Sequence, residues 1–160
     1  MANTYSQIYI QIVFTVKDRS VLIPKEKKDE LYKYITGIVK KRGQKLLAIN
    51  GMSDHIHVFV GMKPDLAISD LVRDIKAGSS GFIYKKRMVK RKFSWQEGFG
   101  AFSYSRSDID AVIHYIQNQE YHHRTITFHD EYIKMLKEFA VEYDDRYLFE
   151  WIEKDQAGNK

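Results

Sequence analysis

The stretch SDHIHVFV, Ser53 to Val60, sets two imidazoles two residues apart in a run otherwise built from Ile56, Val58, Phe59 and Val60. Residues two apart on a strand point the same way. His55 and His57 therefore share one face with Phe59, while Ile56, Val58 and Val60 share the other. Two parallel imidazoles can offer two nitrogens to one metal ion. The same spacing also suits two surface histidines, and a metal site needs at least a third ligand. The stretch YIQNQEYHH supplies a candidate. Tyr115 and Gln119 lie four apart on a predicted helix and His122 follows three later, so a phenol, a carboxamide and an imidazole fall along one stripe. A glutamine oxygen is a legitimate ligand for a hard ion such as Mg²⁺ or Mn²⁺. A tyrosine beside it can be a nucleophile, because a covalent intermediate splits one difficult transfer into two. The plainer alternative is a packing tyrosine next to a solvated glutamine. Asp54, just before the pair, can orient a histidine or shape the turn. His114 points away from Tyr115 on a helix, and His123 reads as a packing residue.

These side chains must be carried by elements, and the periodicities supply them. Between Thr4 and Lys17, Ile8, Ile10, Ile12, Phe14 and Val16 alternate with Gln7, Tyr9, Gln11 and Thr15, the pattern of a strand with one apolar face. Leu31, Ile35, Ile38 and Val39 have helical spacing after Pro24, and Gly43 ends that helix. Gln44–Met52 and His55–Met62 read as a hairpin. A second helix starts near Ile68 with Ser69 as its cap, and Ser107 caps a third that runs as one piece through SDIDAVIHYIQNQEYHHR. A further helix spans about Asp130 to Phe139. The order β-α-β-β-α-β-α-α predicts an α+β, ferredoxin-like (RRM-like) sandwich: a mainly antiparallel sheet with helices on one face, plus C-terminal helices carrying the tyrosine. At 160 residues the chain suits one domain, placed at 1–153, with 154–160 as a disordered tail.

Composition narrows the partners. There is no cysteine, which removes disulfides, thiolate zinc sites and thiol nucleophiles and fits a reducing cytoplasm. No stretch is long and apolar enough to span a membrane. The net charge of +5 favours a polyanion. Six cations cluster in KKRMVKRK: Lys85, Lys86, Arg87, Lys90, Arg91 and Lys92. They suit DNA phosphates, with a solvated loop as the alternative. The aromatics that follow, Phe93, Trp95, Phe99 and Phe102, are expected in the core rather than stacked on bases. Lys76, Ser79 and Ser80 could face DNA or simply solvent.

The two motifs together resemble the HUH single-tyrosine transposases of the insertion-sequence 200/605 family. The likeness is carried by the His-hydrophobic-His of DHIH and the YIQNQ helix, with DLVRDIKAGSS, FSWQEGFGAFSYS, FHDEYIKMLKEF and YDDRYLF in support, and covers Tyr5 to about Trp151. It implies a single HUH transposase domain that cuts and rejoins single-stranded DNA at hairpin-bearing ends, in the cytoplasm of a bacterial or archaeal cell. It further implies Tyr115 as the nucleophile that forms a 5′-phosphotyrosine, and His55, His57 and Gln119 as ligands of Mg²⁺ or Mn²⁺. Asp54, Lys76 and His122 would lie behind the site or against DNA. The partners implied are hairpin-bearing single strands and a second copy of the chain, whose tyrosine helix can complete the site. Two other readings stay open: a hairpin-binding module without chemistry, and a domesticated nuclease acting on repeated genomic hairpins.

Overall fold

Strand β1 (Tyr9–Thr15) forms where the apolar alternation is strictest, and it becomes an inner strand of a four-stranded sheet ordered β2-β3-β1-β4. The computed structural model describes residues 3–18 and 21–151, so the expected tail at 154–160 lies outside the described residues. Helix α1 (Lys28–Lys41) crosses to β2 (Lys45–Gly51), which turns back into β3 (His55–Gly61). Helix α2 (Ile68–Lys85) returns the chain to the far edge as β4 (Gly100–Tyr104). All three pairings are antiparallel. This is the expected α+β sandwich, and the split βαβ order puts β1 and β3 side by side at the centre.

The register divides the side chains. Phe14 pairs with Ile56, Ile12 with Val58 and Ile10 with Val60, and these meet Leu31, Ile35, Val39, Leu71, Val72 and Ile75 of α1 and α2. Each such fully buried side chain contributes about 1.5–3 kcal/mol, so this layer holds most of the stability. Gly43, at φ +75, ends α1 as the sequence predicts.

The opposite face departs from the one-sided strand that the alternation predicts. Gln11, Thr15, His55 and His57 are as buried as the apolar residues, because the C-terminal helices cover them. Helix α3 (Ile109–Gln117) packs Val112 and Ile116 on Ala48 and Phe59. The single helix expected through the tyrosine motif breaks at Asn118 (φ −97, ψ 22), and a short α4 (Gln119–His122) follows. The physical reason is competition for carbonyls. Asn118 Nδ2 donates to His114 O (2.8 Å), while Asn50 of β2 donates to Ile116 O (3.0 Å) and Gln117 O (3.2 Å). Two expected caps also differ. Ala67 precedes α2, leaving Ser69 in its first turn, and Ser107 lies within a short 3-10 turn, Arg106–Asp108, so that Asp108 precedes α3.

Helix α5 (Phe128–Glu138) begins at Thr127, whose side chain accepts from Asp130 N, and lies against β4. Gly100 makes that approach close: a Cβ there would sit 2.7 Å from Tyr132 Oη. Gly100→Ala should therefore push α5 away and cost about 1–3 kcal/mol in denaturant unfolding. Gly81→Ala, in the helical interior of α2 with nothing within 4 Å of its Cβ, should instead gain about 0.4–1 kcal/mol.

Candidate metal centre and nucleophile

The hairpin delivers the histidine pair. Gly51 pairs with Ile56 where a Cβ would fall 2.1 Å from the His55 carbonyl oxygen, so only glycine fits this close approach. Asp54 O accepts from Val16 N (2.8 Å) and from Thr15 Oγ1 (2.5 Å), which pins the start of β3 to the end of β1. His55 and His57 then project together from β3, with ring centroids 5.2 Å apart. Both are fully buried or nearly so.

Their charge states follow from what faces them. His55 Nδ1 lies 2.7 Å from Asp54 Oδ1, and its Nε2 lies 3.1 Å from Gln119 Oε1 and 3.4 Å from Glu131 Oε1. Both ring nitrogens thus face oxygens. Burial opposes its charge, but the hydrogen bonds to Asp54 and Glu131 outweigh burial and push it up to about 9. His57 is held low, first by burial and then by the neighbouring imidazoles His55 and His123, against the pull of Glu131. Its Nδ1 accepts from Gln11 Nε2 (2.9 Å) and its Nε2 donates to Glu131 Oε1 (3.0 Å).

Glu131 is the centre of the arrangement, and the sequence reading did not select it. Its carboxylate also lies 3.2 Å from His123 Nε2, accepts from Gln119 Nε2 (3.1 Å) and accepts from the Tyr115 hydroxyl. Burial works against ionisation. The His57 charge interaction and the hydrogen bonds from His123, His55 and His57 prevail, holding the carboxyl far below the ordinary range. A signal was present: Phe128, Glu131, Tyr132 and Met135 fall at i, i+3, i+4, i+7, so one acidic residue interrupts an apolar helical stripe. His123, read as a packing residue, belongs to the network too. Its Nε2 lies 3.0 Å from Gln119 Oε1 and its Nδ1 donates to Ile126 O (2.8 Å). Phe128 stacks on His55 with centroids 4.1 Å apart.

The stripe of Tyr115, Gln119 and His122 survives the break at Asn118. Tyr115 Oη lies 3.4 Å from His122 Nε2, and Gln119 is fully buried between His55 and Glu131. Burial, with Glu131 beside it, raises the Tyr115 phenol well above its ordinary range, so it rests protonated. Asp54 lies behind His55, its Oδ1 beside His55 Nδ1. The six cations of the basic run are all exposed, with Lys85 ending α2 and Arg87 at φ +51. Phe93, Trp95 and Phe102 are core, as expected. Lys76 is not brought to the centre. Its ammonium donates to Gln96 O and Gly98 O, both 2.7 Å, and Ser79 is buried under Trp95 Nε1 (2.9 Å).

His55, His57 and Glu131 each offer a ligand atom within 4.8 Å of the others. A buried set of two imidazoles, a carboxylate and a nearby carboxamide oxygen fits a divalent ion of intermediate to hard character. The group therefore could bind a metal, with Gln119 beside it and Glu131 nearer to both histidines than the sequence reading allowed.

Two outcomes follow. Glu131→Ala leaves buried imidazoles without their anion and should cost about 3–5 kcal/mol in metal-free unfolding, and Glu131→Gln less. His55 is raised in the folded state, so its protonation adds stability fully below about pH 6.5 and loses it as pH climbs through about 9. Metal-free protein should thus melt progressively lower across that window. Asp54→Asn should flatten the slope. Divalent-ion affinity should climb over the same range, since the ion displaces the His55 proton.

Comparison with known proteins bears on this geometry. The family described as Transposase IS200 like matches residues 4–119. A crystal structure of a candidate transposase from Deinococcus radiodurans R1 superposes with a TM-score of 0.58 at 20% identity, covering 74% of this chain and 95% of its own. A REP-associated tyrosine transposase bound to a REP hairpin superposes with a TM-score of 0.60 at 17% identity, covering 96% and 98%. No curated protein matches the sequence. Among the described residues, no helix is long and apolar enough to cross a membrane.

Proposed function

Because the chain belongs to the IS200-like transposase family, we propose that it cuts and rejoins single-stranded DNA through a covalent link to Tyr115. The observation that carries this reading is one shared hydrogen-bond network. The Tyr115 hydroxyl and both histidines of the pair end on the same buried carboxylate, Glu131. A hairpin-binding module without chemistry has no use for a phenol joined to a metal-ligand cluster.

His55, His57, Glu131 and Gln119 would hold a divalent ion, Mg²⁺ or Mn²⁺. Such an ion polarises a phosphate and offsets charge on its oxygens. The chain's own groups do the rest. Tyr115 forms a bond to the phosphorus of the scissile link, and the bond from phosphorus to the 3′ oxygen breaks. The phenolic proton leaves toward Glu131, its hydrogen-bond acceptor. The departing 3′ oxygen takes up that proton, passed on from Glu131, and becomes a free hydroxyl. In the reverse sense a 3′-hydroxyl attacks the phosphotyrosine and restores the protonated phenol. Bond energy is kept in the link, so no nucleotide cofactor is required.

For DNA contact we assign Lys85, Lys86, Arg87, Lys90, Arg91 and Lys92, whose exposure supports phosphate neutralisation. They lie at the end of α2, while Tyr115 lies under the opposite face of the sheet. A substrate that reaches both must cross the sheet edge, which suits a duplex stem with a single-stranded extension. The REP hairpin held by the structural neighbour supports the same substrate class. Tyr115 reaches the histidines of its own chain, with its ring 6.0 Å from His57. A homodimer is proposed from the family resemblance, and sedimentation with and without hairpin DNA reads it.

The test is covalent capture. With Mn²⁺ and labelled single strands from the DNA flanking its gene, the protein should give a denaturant-resistant adduct, lost in Tyr115→Phe, in His55→Ala and in EDTA. Hairpin binding should persist in Tyr115→Phe and weaken steeply with salt. Salt-sensitive binding without an adduct on any flank would reject the transferase in favour of the binding module.

A further inference from the structure

Gln11 and Tyr104 touch the centre, yet the reaction above leaves them idle. Gln11 is fully buried on an inner strand, a costly place for a carboxamide unless both its ends are partnered. Both are. Tyr104 Oη donates to Gln11 Oε1 (2.7 Å), and Gln11 Nε2 lies 2.9 Å from His57 Nδ1. An amide nitrogen of this kind only donates. The His57 nitrogen facing it therefore carries no proton, and the ring's single proton sits on Nε2, directed at Glu131 Oε1 3.0 Å away.

That tautomer cannot ligate an ion through the nitrogen that faces the cluster, because its lone pair is taken by the proton. A ligating histidine presents a bare inner nitrogen and donates its outer N–H to an acceptor. Gln11 has an acceptor of its own. Turning the carboxamide over brings Oε1 to His57 Nδ1–H and Nε2 to Tyr104 Oη, which accepts as readily as it donates. Both hydrogen bonds are kept. The ion displaces the His57 Nε2 proton, which leaves by way of Glu131 to solvent, and solvent supplies the proton taken up at Nδ1, so the ring stays neutral.

We propose that Gln11, backed by Tyr104, is a positioning residue that sets the His57 tautomer, and that reversal of its carboxamide accompanies ion binding at His57 Nε2. This rests on His57 as a ligand. Leucine at position 11 fills space but holds neither tautomer. Glutamate there offers only acceptors and enforces the form with the proton on Nδ1.

The experiment measures Mn²⁺ binding by calorimetry in the parent, Gln11→Leu, Gln11→Glu and His57→Ala proteins. Gln11→Leu should bind about 10–100-fold more weakly. Gln11→Glu should bind as tightly as the parent or tighter. Equal affinities in both Gln11 variants would overturn the proposal, since a merely packing role predicts no rescue by glutamate. Undiminished binding in His57→Ala would remove the ligand reading itself. Loss in His57→Ala without loss in Gln11→Leu removes only this inference. Nitrogen NMR on the unaltered protein gives a second measurement that no folding defect can obscure. The His57 proton should sit on Nε2 in EDTA and on Nδ1 in saturating Mg²⁺, and an unchanged tautomer would overturn the proposal.

Discussion

One buried carboxylate organises the second half of this protein. An ionised Glu131 placed alone in that interior would cost several kcal/mol even after relaxation. It is tolerated because His55, His57, His123, Gln119 and Tyr115 all direct polar atoms at its two oxygens. Those partners come from β3, α3, α4 and the turn that follows α4. The C-terminal helices are therefore tied to the sheet by charge-assisted hydrogen bonds as well as by apolar contact, Val112 and Ile116 of α3 on Ala48 and Phe59, and Phe128, Tyr132, Met135 and Leu136 of α5 in the main core. Removing any one partner changes the balance for all the others, which is the usual behaviour of a low-dielectric network.

The two faces of the sheet divide the work. One is a dry layer of Ile, Val, Leu and Phe beneath α1 and α2, in one apolar cluster with Phe128, Tyr132, Met135 and Leu136 of α5. The other trades apolar contact for polar groups that are expensive to bury and useful only if satisfied. Every buried side-chain polar atom among the described residues has a partner. A rigid platform on one side thus permits a demanding arrangement on the other.

The fold was legible because period-two and helical spacings are local, and so were the histidine pair and the Tyr115–Gln119 stripe. What escaped was non-local. Nothing in the alternation of β1 says that Gln11 and Thr15 are buried, since a polar face under polar partners has the same pattern as a solvated one. The break at Asn118 depends on Asn50, 68 residues earlier, reaching the carbonyls of Ile116 and Gln117. Glu131 was visible only as a charge on an apolar stripe, and its partners are set by tertiary packing. His123 packs as the sequence allowed, but its contacts to Gln119 and Glu131 depend on tertiary placement. The basic run needed no structure to be noticed, and the structure adds that none of its charge is consumed by burial.

The order of these parts along the chain has a consequence for how the protein is made. By Tyr104 all four strands and the helices α1 and α2 have been made, and the two histidines already lie on β3. Glu131 leaves the ribosome 27 residues later. A nascent chain paused in between has its imidazoles but lacks both the anion that organises them and the α5 side chains Phe128, Tyr132, Met135 and Leu136 that finish the core, so the buried centre stays open until α5 has emerged. A single domain generally folds as a unit. Closure of the buried centre is thereby tied to completion of the core, and a chain truncated before α5 loses core side chains together with the carboxylate.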